Sequence, residues 1–254
     1  MSILSQAEKP GDRAVICTIL GDAGMGKTSL AATFPKPVFI RIEDGIQSIP
    51  LAHRPDALPL VKNKEQLQEQ LVALIKEKHD YKTVVIDSIT QLEAMFVKDV
   101  VDNDPKNPRS INQSLGGYGA GWQKVAELHN KVRDAVQELC EKGINVVFIA
   151  HADVSVVRPP DGDEYTRYDL RLNRKSMSPY TDNVDVVGYL DLVKFTTGDG
   201  ERKQAVTDGT RRLITYPTPA NVSKNRYGID KDIPMKLGVN PLAEYIPILN
   251  KEKK

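Results

Sequence analysis

The sequence predicts an α/β fold: a mostly parallel sheet flanked by helices, with a C-terminal antiparallel β meander. Over the first 150 residues, apolar runs of β type alternate with segments of helical periodicity, which favours parallel strands joined by helices. A glycine-rich turn lies directly between the first apolar run and the first helix-compatible stretch. Beyond residue 185, β-type runs follow one another across short Gly-containing turns, which favours antiparallel pairing.

Periodicity and turn residues place the elements of the parallel part. Its strands are expected at 13–20, 37–42, 58–61, 82–87 and 144–150. The longer helices are expected at 64–78, from the end of the fourth strand to residue 101, and at 122–139. The run 58–61 is expected at a sheet edge because Pro59 has no N–H to donate, and Gly143 is expected to end the third of these helices.

The second half of the chain is expected to contain two loops and the meander. Residues 102–121 are rich in Asn, Pro and Gly, and residues 154–183 are mostly polar, so both are predicted as loops, the second being long, mobile and functional. The β-type runs 186–195, 202–207 and 211–216 form the expected meander.

Composition limits the protein class. The 254 residues, 40% of them hydrophobic, suffice for one large domain or two small ones, and we expect one domain at 13–246 between a short leader, 1–12, and a polar tail, 247–254. The net charge of +1 attracts neither nucleic acid nor membrane as a whole, so a polyanion needs a local patch. Without a signal peptide or membrane-length apolar run, and with Cys17 and Cys140 expected as buried thiols, a cytoplasmic protein without a membrane partner is predicted.

The glycine-rich turn fits the phosphate-loop pattern G-x-x-x-x-G-K-[ST], in a strand–loop–helix context. Such a loop wraps phosphates with its backbone N–H groups, while its lysine reaches the β- and γ-phosphates and its hydroxyl residue holds Mg²⁺. The pattern therefore predicts ATP and Mg²⁺ as ligands; the alternative is an ordinary Gly-rich turn. The expected nucleotide-binding residues are Gly21, Asp22, Ala23, Gly24, Met25, Gly26, Lys27, Thr28 and Ser29.

Two carboxylates follow predicted strands at the edge where α/β proteins bind ligands. Asp87 is expected to hold the magnesium with Thr28; the alternative is that Asp87 or Ser88 caps the following helix. Glu43 is expected to position the attacking water, with its neighbour Asp44 as the fallback and a solvated strand-end charge as the alternative.

Three further side chains are candidates for a catalytic role. His151 follows the fifth predicted strand, so it could touch the γ-phosphate and report its loss, or simply be hydrogen-bonded within its loop. Lys224 and Arg226 are two residues apart and would point the same way in extended chain. They could clamp a phosphate, in their own subunit or a neighbour's, or form a solvated basic turn.

These features together resemble the RecA-like core ATPases. The segment 224–228, KNRYG, resembles the K-N-R-F-G motif of RadA/Sms proteins, and DnaB-type helicases have a related pair that reaches the adjacent subunit's nucleotide. The segment 83–90 is similar to the RecA-type Walker B motif, Glu43 matches that family's catalytic glutamate, and His151 matches its sensor position. Size and order of parts are most similar to phage-type proteins, including the Sak-group single-strand annealing ATPases. The resemblance implies a RecA-like P-loop ATPase core and a homo-oligomer with nucleotide at its subunit interfaces.

The resemblance also implies single-stranded DNA as a partner, since two loops of RecA-like proteins face DNA. A tyrosine in a Gly-rich loop can stack on a base, and basic side chains can contact phosphates; the alternative is a solvated or subunit-facing loop. The candidate DNA-binding residues are Lys106, Arg109, Tyr118, Arg167, Arg171, Arg174 and Lys175.

The leading hypothesis is thus a DNA-stimulated ATPase of phage-type recombination or annealing. One alternative is a nucleotide-dependent module that hydrolyses little and binds a protein partner, such as a single-strand-binding protein. Another is a compact translocase related to hexameric helicases.

Overall fold

The computed structural model describes residues 6–7, 11–197 and 204–250. Its strands are β1 (Ile16–Gly21), β2 (Pro37–Arg41), β3 (Asp56–Ala57), β4 (Thr83–Asp87), β5 (Asn145–Val157), β6 (Tyr165–Leu170), β7 (Val186–Leu192), β8 (Phe195–Thr197), β9 (Gln204–Val206), β10 (Arg211–Ile214), β11 (Lys224–Asn225) and β12 (Ile233–Pro234). Its α-helices are α1 (Lys27–Ala31), α2 (Lys64–Lys76), α3 (Ile89–Asp102), α4 (Ala120–Glu141) and α5 (Ser178–Thr181). Short 3-10 helices lie at Ile46–Ser48, Leu51–His53, Ser114–Gly116, Arg174–Ser176 and Pro247–Asn250.

The main sheet has the strand order β12-β10-β7-β1-β5-β4-β2-β3. From β7 to β3 all neighbours are parallel, whereas β10 is antiparallel to β7 and β12 to β10. β11 pairs antiparallel with β7, and β6 pairs antiparallel with the distal part of β5. The predicted α/β class, a mostly parallel sheet flanked by helices with a C-terminal antiparallel part, is confirmed.

Apolar side chains pack on both faces of the sheet. On one face, α2, α3 and α4 bury residues such as Leu71, Phe96 and Val136 against the strands. On the other face, α1 and the C-terminal segment bury residues such as Leu30 and Leu242. The apolar residues of α4 recur every three or four positions, so this long helix buries one stripe and exposes the other side.

Capping residues fix the helix ends that the sequence predicts. The side chains of Asn63 and Ser88 accept hydrogen bonds from the N–H groups of Gln66 and Gln91, three residues into α2 and α3. Gly143 follows α4 with φ +80°, a left-handed conformation that glycine adopts without strain, and its N–H donates to the carbonyl of Cys140.

Three predictions differ from the structure. The edge strand is β3, at Asp56–Ala57 rather than at 58–61. The segment 58–61 still contacts β2, because the N–H groups of Leu58 and Val61 donate to the carbonyls of Phe39 and Arg41. Residues 154–183, expected as a loop, contain the end of β5, β6 and α5; the β5–β6 pair is called the hairpin below. The run 186–195 begins with β7, which is parallel to β1 and so belongs to the core rather than to the antiparallel part.

The expected termini fall partly outside the described residues. The structure does not describe residues 1–5 and 8–10 of the leader or 251–254 of the tail. The start of the predicted run 202–207 also lies outside the described residues, since these exclude 198–203. Pro247–Asn250, assigned to the tail, is a 3-10 helix with Leu249 buried. Cys17 and Cys140 are free thiols, the first buried and the second half-buried. Across the part of the chain that the structure describes, no helix is both long and apolar enough to cross a bilayer.

Candidate functional site

The carboxyl edge of the parallel sheet brings together the ends of β1, β2 and β4 and the middle of β5. Gly21 of β1 lies opposite His151 of β5, and Asp87 of β4 lies opposite Ile149 of β5 and Arg41 of β2. Since these strands run in the same direction and in register, the residues at and just after their ends meet at one edge. Four of the predicted site segments therefore share one location.

The loop between β1 and α1 has the backbone of a phosphate cradle. Gly24 and Gly26 have φ values of +77° and +94°, which residues with a Cβ rarely adopt. The Lys27 side chain folds back into this loop, and its Nζ donates to the carbonyls of Gly21 and Asp22 at 2.9 and 2.8 Å. Burial lowers the pKa of Lys27, so an anionic ligand in the loop would compensate a desolvated cation.

Thr28 and Asp87 form the second part of the site. Thr28 Oγ1 donates to Asp87 Oδ2 at 2.9 Å, and the Asp87 residue is 3% exposed. Burial raises the pKa of Asp87 to about 6, because the hydrogen bond from Thr28 and the charge of Lys27 offset only part of its desolvation. Ser88 caps α3 with its side chain, so the Asp87 carboxylate is not the cap.

Glu43 is fixed by the backbone next to Asp87. The N–H groups of Ile42 and Glu43 donate to the Asp87 carbonyl at 2.7 and 3.2 Å. The Glu43 carboxylate contacts His151, with Oε1 to Nε2 at 3.3 Å, and this hydrogen bond is the main reason that the pKa of Glu43 is lowered. The site thus holds an ionised carboxylate at neutral pH beside an imidazole.

The fallback residue Asp44 is engaged elsewhere. Its carboxylate accepts hydrogen bonds from Arg41 at 3.0 Å and from the Gln47 amide at 2.8 Å. Asp44 lines the same cavity, but its charge is already paired, so the geometry favours Glu43 as the water-positioning group.

A cavity of about 590 Å³ joins these groups, and it is called the phosphate cavity below. Its lining comprises Ala23, Gly24, Gly26, Lys27, Thr28, Ser29, Glu43, Asp44, Gly45, Ser48, Asp87, Ile149, His151 and Arg211. Among the described residues, no three His, Cys, Asp or Glu side chains are grouped closely enough to hold a metal ion by themselves. A hydroxyl beside a carboxylate instead suits Mg²⁺, which keeps waters and completes its shell with substrate phosphates.

Arg211 was not predicted, although it lines the phosphate cavity. It is the first residue of β10, which runs antiparallel to β7 and pairs Arg211 with Leu192. Because of this direction, the start of β10 lies at the carboxyl edge. The sequence holds only a basic residue after a turn, and nothing local shows that its strand lies two positions from β1.

Lys224 and Arg226 lie away from this cavity. β11 pairs Asn225 with Val186, and Val186 pairs with Cys17, near the amino ends of β7 and β1. Lys224 Nζ donates to the carbonyl of Asp182 at 2.6 Å, and Arg226 is 3.3 Å from the buried carboxylate of Asp185. Within the chain, these cations do not contact the phosphate loop of their own subunit.

The candidate DNA residues fall into three groups. Lys106, Arg109 and the fully exposed Tyr118 lie in the segment between α3 and α4. The exposed Arg174 and Lys175 lie beside them, since Lys175 Nζ donates to the carbonyl of Gly119 at 3.3 Å.

The other two arginines have intrachain partners. Arg167 forms an ion pair with Asp169 at 2.8 Å on the hairpin, which reduces its availability for phosphate. Arg171 follows the hairpin and is tied to β5: its N–H donates to the carbonyl of His151 at 2.9 Å, and its guanidinium donates to that of Ala152 at 3.1 Å. The hairpin stem is therefore attached to the candidate sensor residue.

Three comparisons relate the chain to known proteins. A family model described as an AAA domain matches residues 13–227. A curated relative, the SPbeta prophage-derived uncharacterized protein YorG of Bacillus subtilis (strain 168), is 25% identical over 181 residues, 69% of this chain. The chain spans about half the length of that relative, since the match covers 50% of it. A KaiC-like protein of Pyrococcus horikoshii OT3 superposes with a TM-score of 0.49 and 16% identity, over 90% of this chain and 88% of the other.

Proposed function

The chain belongs to the AAA domain family, and from this premise we propose that it is a Mg²⁺-dependent ATPase that acts on single-stranded DNA. The family and fold make it a RecA-like P-loop ATPase domain. The finer proposal is a phage-type protein of recombination or annealing, similar to the Sak group, that works as a homo-oligomer. The prophage origin of its relative supports the phage link.

One observation carries the proposal: Lys27, Thr28, Asp87, Glu43 and His151 line a single cavity at the carboxyl edge of the sheet. The loop N–H groups and Lys27 would hold the β- and γ-phosphates. Thr28 and Asp87 would hold Mg²⁺, which when bound neutralises charge on the phosphates. Glu43, ionised at neutral pH, would orient water for in-line attack on the γ-phosphate.

Lys224 and Arg226 complete the proposed mechanism from a neighbouring subunit. They lie far from their own phosphate loop and are half-exposed, Arg226 with 51% of its side chain accessible. A cation inserted beside the γ-phosphate stabilises the charge that develops in the transition state. An assembly that presents this edge to the next subunit's cavity would supply that cation, as the KNRYG motif suggests.

Coupling to DNA would pass through β5. His151 contacts Glu43 with its side chain, and its carbonyl accepts the Arg171 N–H at the base of the hairpin. In addition, the Asn173 N–H donates to the Glu93 carboxylate of α3 and lies 3.0 Å from each of its two oxygens. Loss of the γ-phosphate would therefore alter contacts of the segment that carries Arg171, Arg174 and Lys175.

The DNA surface proposed here combines stacking and charge. Tyr118 is fully exposed in a loop that touches Lys175, with Arg174 next to it. An exposed aromatic ring beside two cations that form no ion pair within the described part of the chain fits an unpaired base and its phosphates. Arg167, neutralised by Asp169, would contribute less than these residues.

The test is ATP turnover of the purified chain with and without single-stranded DNA, alongside the mass of the assembled species. We expect DNA to raise turnover, and fluorescence anisotropy to detect DNA binding that weakens as salt rises. Absence of DNA binding at low salt, both with and without a non-hydrolysable ATP analogue, would eliminate the DNA part of the proposal. Absence of ATP binding by calorimetry would eliminate the whole of it.

A nucleotide-dependent protein-binding module is the second candidate, and the hairpin favours it. Val154 and Val156 are exposed on the same side of β5, since alternate residues of a strand share a face. Such apolar groups suit a protein partner, for example a single-strand-binding protein. Rapid turnover that Glu43→Gln abolishes would contradict a module that hydrolyses little.

A further inference from the structure

An arginine outside the predicted site lies against the phosphate loop. Arg211 Nη1 would be 3.3 Å from a Cβ built on Gly26, so the guanidinium covers the glycine directly before Lys27. Over residues 11–197 and 204–250, this guanidinium has no hydrogen-bond or ion-pair partner. The adjacent Arg212, by contrast, pairs with Asp191 and Asp232. Among the described residues, Arg211 is therefore an unpaired cation beside a loop built for anions.

A second cavity meets the phosphate cavity at this arginine. It has a volume of about 220 Å³ and is called the apolar cavity below. Gly26, Ser29 and Arg211 line both cavities, so the two cavities adjoin at these residues. The apolar side chains of the second cavity are Met25, Leu30, Met235, Leu237 and Val239.

The two cavities differ in the side chains that line them. Glu43, His151 and Asp87 lie in the phosphate cavity, whereas the described lining of the apolar cavity has no carboxylate or imidazole and combines methionine, leucine and valine with threonines and Lys236. A nucleoside triphosphate has the same polarity: a triphosphate at one end and a ring with a largely apolar face at the other. Its α- and β-phosphates would then lie at the junction, where Arg211 is placed.

We propose that Arg211 is a phosphate-contacting residue that acts within its own subunit, on the α- and β-phosphates, while the apolar cavity takes the nucleoside. The planar guanidinium of arginine can donate to two phosphate oxygens at once, whereas the ammonium group of a lysine acts as a point charge. This proposal deepens the proposed ATP site and rests on it. It differs from the role given to Arg226, which requires a second subunit.

The first experiment measures binding of ATP, ADP and inorganic tripolyphosphate by calorimetry to the wild type and to Arg211→Ala. We expect the variant to lose about tenfold to a hundredfold in affinity for ATP and for ADP, by the same factor, because a hydrogen bond to a charged group is removed. Tripolyphosphate should also weaken. Lys231→Ala removes one exposed charge outside both cavities and should leave all three affinities unchanged.

The second variant tests the apolar cavity. Met235→Ser should weaken ADP and leave tripolyphosphate unchanged, since it alters only the nucleoside contact; Arg211→Lys should recover part of the affinity that Arg211→Ala loses. The proposal is overturned if Arg211→Ala binds ADP as the wild type does, or if only ATP weakens, which would place Arg211 at the γ-phosphate. If the wild type binds neither nucleotide, the ATP site fails instead.

Discussion

The two edges of the sheet hold their charged residues in different ways. At the carboxyl edge, Lys27, Asp87 and Glu43 share one cavity. At the amino edge, Asp185 is buried but receives Arg13 at 2.6 Å, Arg226 at 3.3 Å and the Ile16 N–H at 3.0 Å. At the first edge, burial disfavours the charged forms of Lys27 and Asp87, whereas the second edge has a carboxylate surrounded by donors. This difference indicates that the carboxyl edge is built to receive a ligand, whereas the buried carboxylate of the amino edge is satisfied within the chain.

Distance separates the two edges as well. Val186, which pairs with Asn225, and Leu190, which pairs with Gly21, are four residues apart on β7. At a rise of about 3.3 Å per residue, that is about 13 Å along the strand. Arg226 therefore reaches a nucleotide only if a second copy of the chain places its amino edge beside the cavity. The predictions below test this contrast, from the largest expected effect to the smallest.

Arg226→Ala should lower the turnover number about a thousandfold and leave ATP affinity unchanged, because a finger from another subunit acts on the transition state. Steady-state turnover and calorimetry on the same preparation check this. Mixing the Arg226→Ala variant with the Lys27→Ala variant should restore activity. The Lys27→Ala subunit still has Arg226, which it can donate to the intact phosphate cavity of an Arg226→Ala subunit.

Arg13→Ala is the matched control, because it removes the other arginine from Asp185 without touching the KNRYG segment. If both arginine variants lose activity equally, the effect comes from exposing the Asp185 carboxylate. Failure of rescue in a demonstrated mixed oligomer would contradict action across a subunit interface.

Glu43→Gln should lower the turnover number by a factor of about 100 to 1,000 while ATP still binds, because the amide keeps its size but cannot act as the ionised group. Asp44→Asn should change turnover little, since its charge is already paired with Arg41. Equal losses in the two variants would show that the choice between these neighbouring carboxylates is wrong.

Asp87→Asn should stabilise the ligand-free protein more at pH 8 than at pH 4. The folded chain retains the Asp87 proton up to about pH 6, whereas the unfolded chain releases it near 3.8, so wild-type stability falls as pH rises between these values. The gain at pH 8 relative to pH 4 should be about 2.4 kcal/mol in the free energy of unfolding, because at pH 4 the unfolded chain has already released more than half of this proton.

Urea unfolding at the two pH values, without magnesium, measures this difference. Repeating it with Mg²⁺ and ADP should reverse the order, because only the wild type keeps the carboxylate that holds the ion. A variant that is equally stabilised at both pH values would contradict an ionised, under-compensated Asp87.

His151→Ala should move the acid limb of the pH–turnover profile toward higher pH. The His151 hydrogen bond is the main cause of the low pKa of Glu43, so its loss makes the carboxylate protonate at higher pH. His53→Ala, an exposed histidine outside the cavity, is the control. An unchanged acid limb would contradict the contact between His151 and Glu43 in the working enzyme.

Much of the carboxyl edge could be predicted because its signals are local. The glycine pattern at 21–28 and the buried runs that end at Gly21, Asp87 and Ala150 each occupy a few consecutive residues. Once those runs are parallel strands, geometry brings their ends together without further information. The sequence therefore led to Glu43 and His151, which lie 3.3 Å apart although 108 positions separate them.

The hairpin was missed because its strands lie largely outside the hydrophobic core. β6 reads YTRYDL, and the distal part of β5 mixes exposed valines with polar residues, which is typical of a loop. Its register, in which Ser155 pairs with Arg167, depends on contacts between the two segments and not on burial of either alone.

The sequence by itself determined the α/β class, the phosphate loop and the residues at the ends of the parallel strands, because periodicity and glycine conformations act over short stretches of chain. Only the tertiary structure decided that β7 lies parallel to β1, that Arg211 covers Gly26, and that Arg226 lies at the opposite edge beside Asp185. These facts depend on which strands become neighbours. That choice follows from the packing of apolar surfaces distant in sequence, which no short segment encodes.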